Sequence, residues 1–68
     1  MMREELTKRE KQIIKLMAKG FTSEEIGEEL GISKRTVENT LLTARRIMDA
    51  KNSVHLYALL LKSEGKIK

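Results

Sequence analysis

The chain has neither cysteine nor proline in its 68 residues. Without thiols, no disulfide and no thiolate metal site can staple it. Its single histidine, His55, cannot build a metal site alone. Aromatic side chains are limited to Phe21 and Tyr57. No apolar run approaches the roughly 20 residues of a membrane span, and the opening MMREEL has no apolar signal-peptide centre. The sequence offers no glycine-rich phosphate loop, no paired acids in a plausible cleft and no metal-ligand cluster. Repeats, low-complexity segments and linkers are missing too. These absences argue against an enzyme, a cofactor, a small-molecule ligand and a membrane partner.

What remains is rich in Leu, Ile, Lys and Glu, a mixture that favours helices. A chain this short buries only about 60% of its unfolded surface. The expectation is one all-helical domain, residues 1–68, stabilised by packing and by self-association. Fourteen basic against ten acidic residues give a net charge of +4, mild support for a polyanionic partner. Position says more. Residues 22–33 hold Glu24, Glu25, Glu28 and Glu29 and no base. Residues 34–51 hold Lys34, Arg35, Arg45, Arg46 and Lys51 against Glu38 and Asp49, a balance of 5 − 2 = +3. The positive charge falls where a nucleic-acid reader needs it.

Thr7 and Glu10 fit a capping box, which starts a helix over about 8–19 with Ile13, Ile14 and Met17 on one face. Gly20 ends it, and Phe21 can fold back on its last turn. Thr22 and Glu25 repeat the box, so a second helix runs over about 23–30 and buries Ile26 and Leu30. Gly31 supplies the left-handed turn residue, Ile32 points inward, and Ser33 caps a third helix. A link of about three residues forces the two helices to cross steeply, as in a helix-turn-helix. Gly27 lies where the third helix must approach closely. Glycine inside a helix costs roughly 1 kcal/mol, so its presence there asks for a reason.

The third helix, about 34–50, sorts its residues by face. Val37, Leu41, Ala44 and Met48 form the core stripe. Arg35, Asn39, Leu42 and Arg46 follow i, i+4, i+7 and i+11, with Thr43 beside them, as an outward row. A groove reader can use all of these, because Asn pairs with adenine, Arg with guanine, and Leu covers a thymine methyl. The last helix, about 53–64, has two apolar arcs. Leu56, Leu59 and Leu60 form one, and Val54, Tyr57, Ala58 and Leu61 the other. One arc is expected on the core and the other against a second chain in a twofold dimer.

The run LTKREKQIIKLMAKGFTSEEIGEELGISKRTVENT resembles the LuxR-type (GerE-type) helix-turn-helix family of bacterial transcription regulators. The likeness spans about Leu6 to Ala58. It is most specific at Leu6-Thr7-x-Arg9-Glu10, Thr22-Ser23-x-Glu25-Ile26 and Ile32-Ser33-x-x-Thr36-Val37-Glu38. The chain starts at Met1 without a receiver or ligand-binding domain and so looks most like free-standing members. The resemblance implies a four-helix, all-α DNA-binding domain that dimerises through its last helix, in the cytoplasm and on the nucleoid when bound. Its base-facing positions fall on Glu38, Asn39 and Leu42, to which the outward row adds Arg35 and Thr43. Its phosphate contacts fall on Thr22, Ser23, Lys34, Arg35 and Thr36, with Arg46 further along. Val54, Ala58 and Leu61 are the candidate dimer residues. Thr40 stands where the family often has His, and Met48-Asp49 where it has Leu-Gly.

The expected partners are double-stranded DNA and a second copy. Two alternatives remain. One is a protein-interaction module that has traded DNA for a regulator or RNA polymerase surface. The other is a promoter reader like the fourth region of sigma factors.

Overall fold

The computed structural model describes residues 5–65, and these fold into four helices. They are α1 (Lys8–Ala18), α2 (Ser23–Leu30), α3 (Lys34–Ile47) and α4 (Ser53–Ser63). Both expected capping boxes are present. The Thr7 N–H donates to Glu10 Oε1 at 2.8 Å while the Glu10 N–H donates to Thr7 Oγ1 at 3.1 Å. At α2 the reciprocal pair between Thr22 and Glu25 measures 2.9 and 3.1 Å. Glu10 is the buried charged residue among those described, and its place in the cap accounts for its position.

Two hydrophobic clusters hold the helices. Ile13, Ile26 and Val37 join α1, α2 and α3, with Leu30 and Ile32 packed against them. Leu6, Ile14, Ala44, Leu56 and Leu60 join α1, α3 and α4. Met17 and Leu41 touch both clusters. Among the described residues α1 and α3 each pack on every other helix, whereas α2 and α4 do not meet. The four helices therefore form a rhombus with α1 and α3 across its short diagonal and α2 and α4 at its far ends.

α3 ends three residues earlier than the periodicity predicts. The Ala50 N–H donates to the Arg45 carbonyl at 2.8 Å and the Asp49 N–H to the Arg46 carbonyl at 3.3 Å. This is a Schellman closure with Asp49 in the left-handed region at φ 53°. The equivalent positions after α1 and α4 are glycines. Asp49 combines a strained backbone with a negative charge at the negative end of a helix dipole. Asp49→Gly should therefore stabilise the fold by about 1 kcal/mol. Thermal unfolding should shift upward by roughly 4–8 °C for a domain of this size. An unchanged midpoint would show that the loop relieves the strain some other way.

Candidate nucleic-acid interface

The interface begins with a turn that only one side-chain pattern permits. Gly31 takes the left-handed conformation (φ 69°, ψ 34°), and the chain then folds back so that the Ile32 N–H donates to the Gly27 carbonyl at 2.9 Å. A Cβ at Gly27 would lie 2.5 Å from the Ile32 carbonyl oxygen and 3.4 Å from the Lys34 nitrogen. The start of α3 thus rests on the bare backbone of α2. That close approach sets where the first turn of α3 emerges.

The first turn of α3 differs from those of α1 and α2. Those helices carry Glu10, and Glu24 with Glu25, at their positive ends, the arrangement that a helix dipole favours. α3 has no acid in its first turn and places Lys34 and Arg35 there instead. Its cap is partial. Ser33 Oγ accepts from the Thr36 N–H at 3.0 Å and shares a 2.9 Å bond with Thr36 Oγ1, with no reciprocal carboxylate. The N–H groups of Lys34 and Arg35 have no intrahelical acceptor, as helix geometry dictates. Two cations, free amide donors and a positive dipole end therefore converge in one exposed place. This is the electrostatic setting that a helix N-terminus offers an anion.

The outward row continues from that turn. Arg35, Glu38, Asn39, Thr43 and Arg46 are all exposed, and Leu42 is 43% exposed. Among the described residues the side chains of Arg35, Glu38, Asn39 and Arg46 make no hydrogen bond or ion pair. Val37 and Ala44 lie fully buried on the opposite side, with Leu41 and Met48 packed against the core. The structure thus brings together Lys34, Arg35, Thr36, Glu38, Asn39, Leu42, Thr43 and Arg46 along one helix. Thr40 does not join them in the same way, because its hydroxyl donates back to the Thr36 carbonyl at 2.7 Å.

Thr22 and Ser23 sit at the start of α2. The Thr22 N–H is already donated to Glu25, which leaves its hydroxyl hydrogen and the Ser23 N–H for an outside acceptor. The exposed Glu24, Glu25, Glu28 and Glu29 make the rest of α2 an acidic surface. Arg45 belongs by charge to the basic balance of residues 34–51. In the structure it is half-buried, and its Nη2 donates to the Lys51 carbonyl at 3.3 Å. It therefore braces the α3–α4 loop and does not belong to the exposed row. His55 also has a role that spacing did not reveal. Its Nδ1 accepts the Lys51 N–H at 3.0 Å while its own N–H donates to Asn52 Oδ1 at 2.8 Å.

On α4, Leu56 and Leu60 are fully buried and Leu59 is half-buried. Val54 is 81% exposed, Ala58 is exposed and Leu61 is half-buried. Tyr57 departs from the expected outer arc, since it is half-buried and packs against the cluster shared by α1, α3 and α4. The outward strip of α4 is thus Val54, Ala58 and Leu61. Among the described residues no helix is long and apolar enough to cross a membrane, and no group of His, Asp or Glu could hold a metal ion.

The family described as bacterial regulatory proteins, luxR family (GerE), matches residues 4–60 of the chain. The chain is also 42% identical over 57 residues to the transcriptional activator protein BjaR1 of Bradyrhizobium diazoefficiens. That match covers 84% of this chain and 24% of the relative, so the chain spans about a quarter of the length of the activator it resembles.

Proposed function

The chain belongs to the luxR family of bacterial regulatory proteins, and from that premise we propose that it is a transcription regulator that reads duplex DNA with α3. The observation that carries the reading is the first turn of α3. Lys34 and Arg35 occupy the positive end of a helix that carries no acid there. This arrangement weakens the free domain slightly and is repaid when a phosphate docks. The family is one of transcription regulators and not of enzymes.

In this reading, phosphate contacts from Lys34, Thr36, Arg46 and the α2 start at Thr22 and Ser23 set the register. Arg35, Glu38, Asn39, Leu42 and Thr43 face base edges in the major groove. Each has a chemical preference: Arg for guanine, Glu for the cytosine amine, Asn for adenine and Leu for a thymine methyl. Val54, Ala58 and Leu61 of two copies would meet about a twofold axis, which places two half-sites about one helical turn apart. The acidic surface of α2 repels a phosphate backbone and so disfavours docking by that face.

Binding-site selection at stated salt tests the reading. Asn39→Ala should relax preference at one base pair by about 1–3 kcal/mol and leave other positions sharp. Lys34→Ala should weaken all sequences alike and reduce the salt slope by about 0.9. A selection from the Asn39 variant that returned the unaltered motif would remove Asn39 from the reading edge. A chain indifferent to duplex at low salt would point instead to a protein partner.

A further inference from the structure

Four lysines stand outside the interface described so far. Lys8, Lys11, Lys15 and Lys19 recur every three or four residues, so they form one row along α1. At 1.5 Å per residue the row is about 16 Å long. Lys8, Lys15 and Lys19 are exposed and Lys11 is half-buried. Glu10, Ile13, Ile14 and Met17 occupy the core side of the same helix, so the row faces outward. Over residues 8–19 five cations meet one acid, a balance of 5 − 1 = +4, equal to the formal net charge of the whole chain. That one acid, Glu10, is buried and committed to the Thr7 cap. From α4's end, Glu64 reaches Lys15 at 3.3 Å, and among the described residues Lys8, Lys11 and Lys19 make no ion pair.

The place of this row in the fold matters most. Because α1 and α3 lie across the short diagonal, their outward faces are back to back. The buried sides of α1 (Ile13, Ile14) and α3 (Val37, Ala44) meet in the shared core, so their exposed rows point away from each other. A duplex seated on α3 therefore leaves the α1 row untouched and still charged. We propose that this row is a second, sequence-indifferent duplex-binding face, through which a domain held on one DNA segment by α3 grips the phosphate backbone of another. Protein interfaces are poor in lysine and anchored by Trp, Tyr, Met or Arg, none of which lies in this row. A line of flexible ammonium groups with Gln12 among them matches a regular line of phosphates, which carries no base information.

The proposal goes beyond the reading of α3 and is tested apart from it. A short biotinylated duplex is immobilised, the chain is loaded, and a second fluorescent duplex of unrelated sequence is offered at low salt. The wild-type chain should capture the second duplex. Lys8→Glu/Lys11→Glu/Lys19→Glu leaves the Lys15–Glu64 pair intact and should cut capture at least tenfold. Loading on the first duplex should change by less than about threefold, and the salt slope of capture should fall by about 2.7 for three lost contacts. The matching Lys→Gln triple variant should behave alike, which separates charge removal from misfolding. Arg35→Ala/Asn39→Ala/Arg46→Ala should lose sequence preference yet keep salt-sensitive duplex binding through α1. Failure of the α3 reading would show only in that variant. No capture by the wild type overturns the proposal, as does undiminished capture by either lysine variant. So does retention on poly-glutamate without duplex capture, which would assign the row to an acidic protein.

Discussion

Gly27→Ala should lower the stability of the domain by about 1–3 kcal/mol, although the same change in an ordinary helix interior stabilises by roughly 1 kcal/mol. The sign is decided by what the new methyl meets. It would lie 2.5 Å from the Ile32 carbonyl oxygen, a backbone atom that cannot swing aside like a side chain. Relief requires the turn at Gly31–Ser33 to move, and with it the first turn of α3. That turn is also tied to Gly27 by the hydrogen bond from Ile32, so displacement weakens one more contact. Urea unfolding measures the effect as a lower midpoint with an unchanged slope. The variant should also bind duplex more weakly than its folded fraction explains, because Lys34 and Arg35 shift relative to the start of α2. A stability gain near 1 kcal/mol would mean that the α2–α3 approach is loose and propensity decides.

The second large effect is expected on α4, where two nearby leucine and valine positions should behave in opposite ways. Leu60 is fully buried in the cluster of α1, α3 and α4. Leu60→Ala should cost about 2–5 kcal/mol in a cavity. A chain of this length has a total stability of only about 3–10 kcal/mol, so the variant should lose a large share of it. Val54 is 81% exposed, and Val54→Asp should change monomer stability by less than about 0.5 kcal/mol. In the proposed dimer, however, it sets two carboxylates facing each other across the axis. The mass in solution should fall to that of a monomer, and affinity for a two-half-site duplex should drop by about 100-fold or more through lost effective concentration. Affinity for a single half-site should barely move. A Val54→Asp chain that stays dimeric would take this strip out of the interface.

Most of the fold was legible because its signals are local. Thr7 with Glu10 and Thr22 with Glu25 are reciprocal hydrogen-bond pairs three residues apart, and a sequence displays such pairs directly. The core stripe Val37, Leu41, Ala44 and Met48 follows from helical period alone, and so does the exposed row on the other side of α3. Gly27 was legible as a conflict, since an unfavourable residue in a helix needs a neighbour that excludes side chains. The misreadings share another cause. Asp49 ends α3 because the backbone turns left-handed there, and aspartate signals that conformation far more weakly than glycine does. Arg45 enters the charge balance like any other cation, yet the loop folds its Lys51 carbonyl within reach. His55 looked isolated because its partner is a backbone N–H brought back by the same loop. Tyr57 fell in the outer arc by angle, but α1 reaches far enough around α4 to cover it. In each case the deciding contact lies between an element and a loop, and helical period carries no information about loops. The lysine row on α1 is legible only around the helix, because along the chain the core-side residues Glu10, Ile13, Ile14 and Met17 come between its four lysines.

The two hydrophobic clusters have a consequence for how the molecule comes apart. Met17 and Leu41 are the described residues common to both, so the structure is two small cores joined at a narrow waist. One core is capped by Leu30 and Ile32 at the α2–α3 turn, and the other contains Leu56 and Leu60 of α4. Opening the second core by fluctuation would release α4 while Ile13, Ile26 and Val37 stay packed, a sub-global transition of the kind that divides proteins into foldons. The element that would join two copies thus belongs to a core that would open without the other. Dimerisation would then stabilise the tertiary structure of each copy, and the concentration of the chain would govern how often α4 is in place.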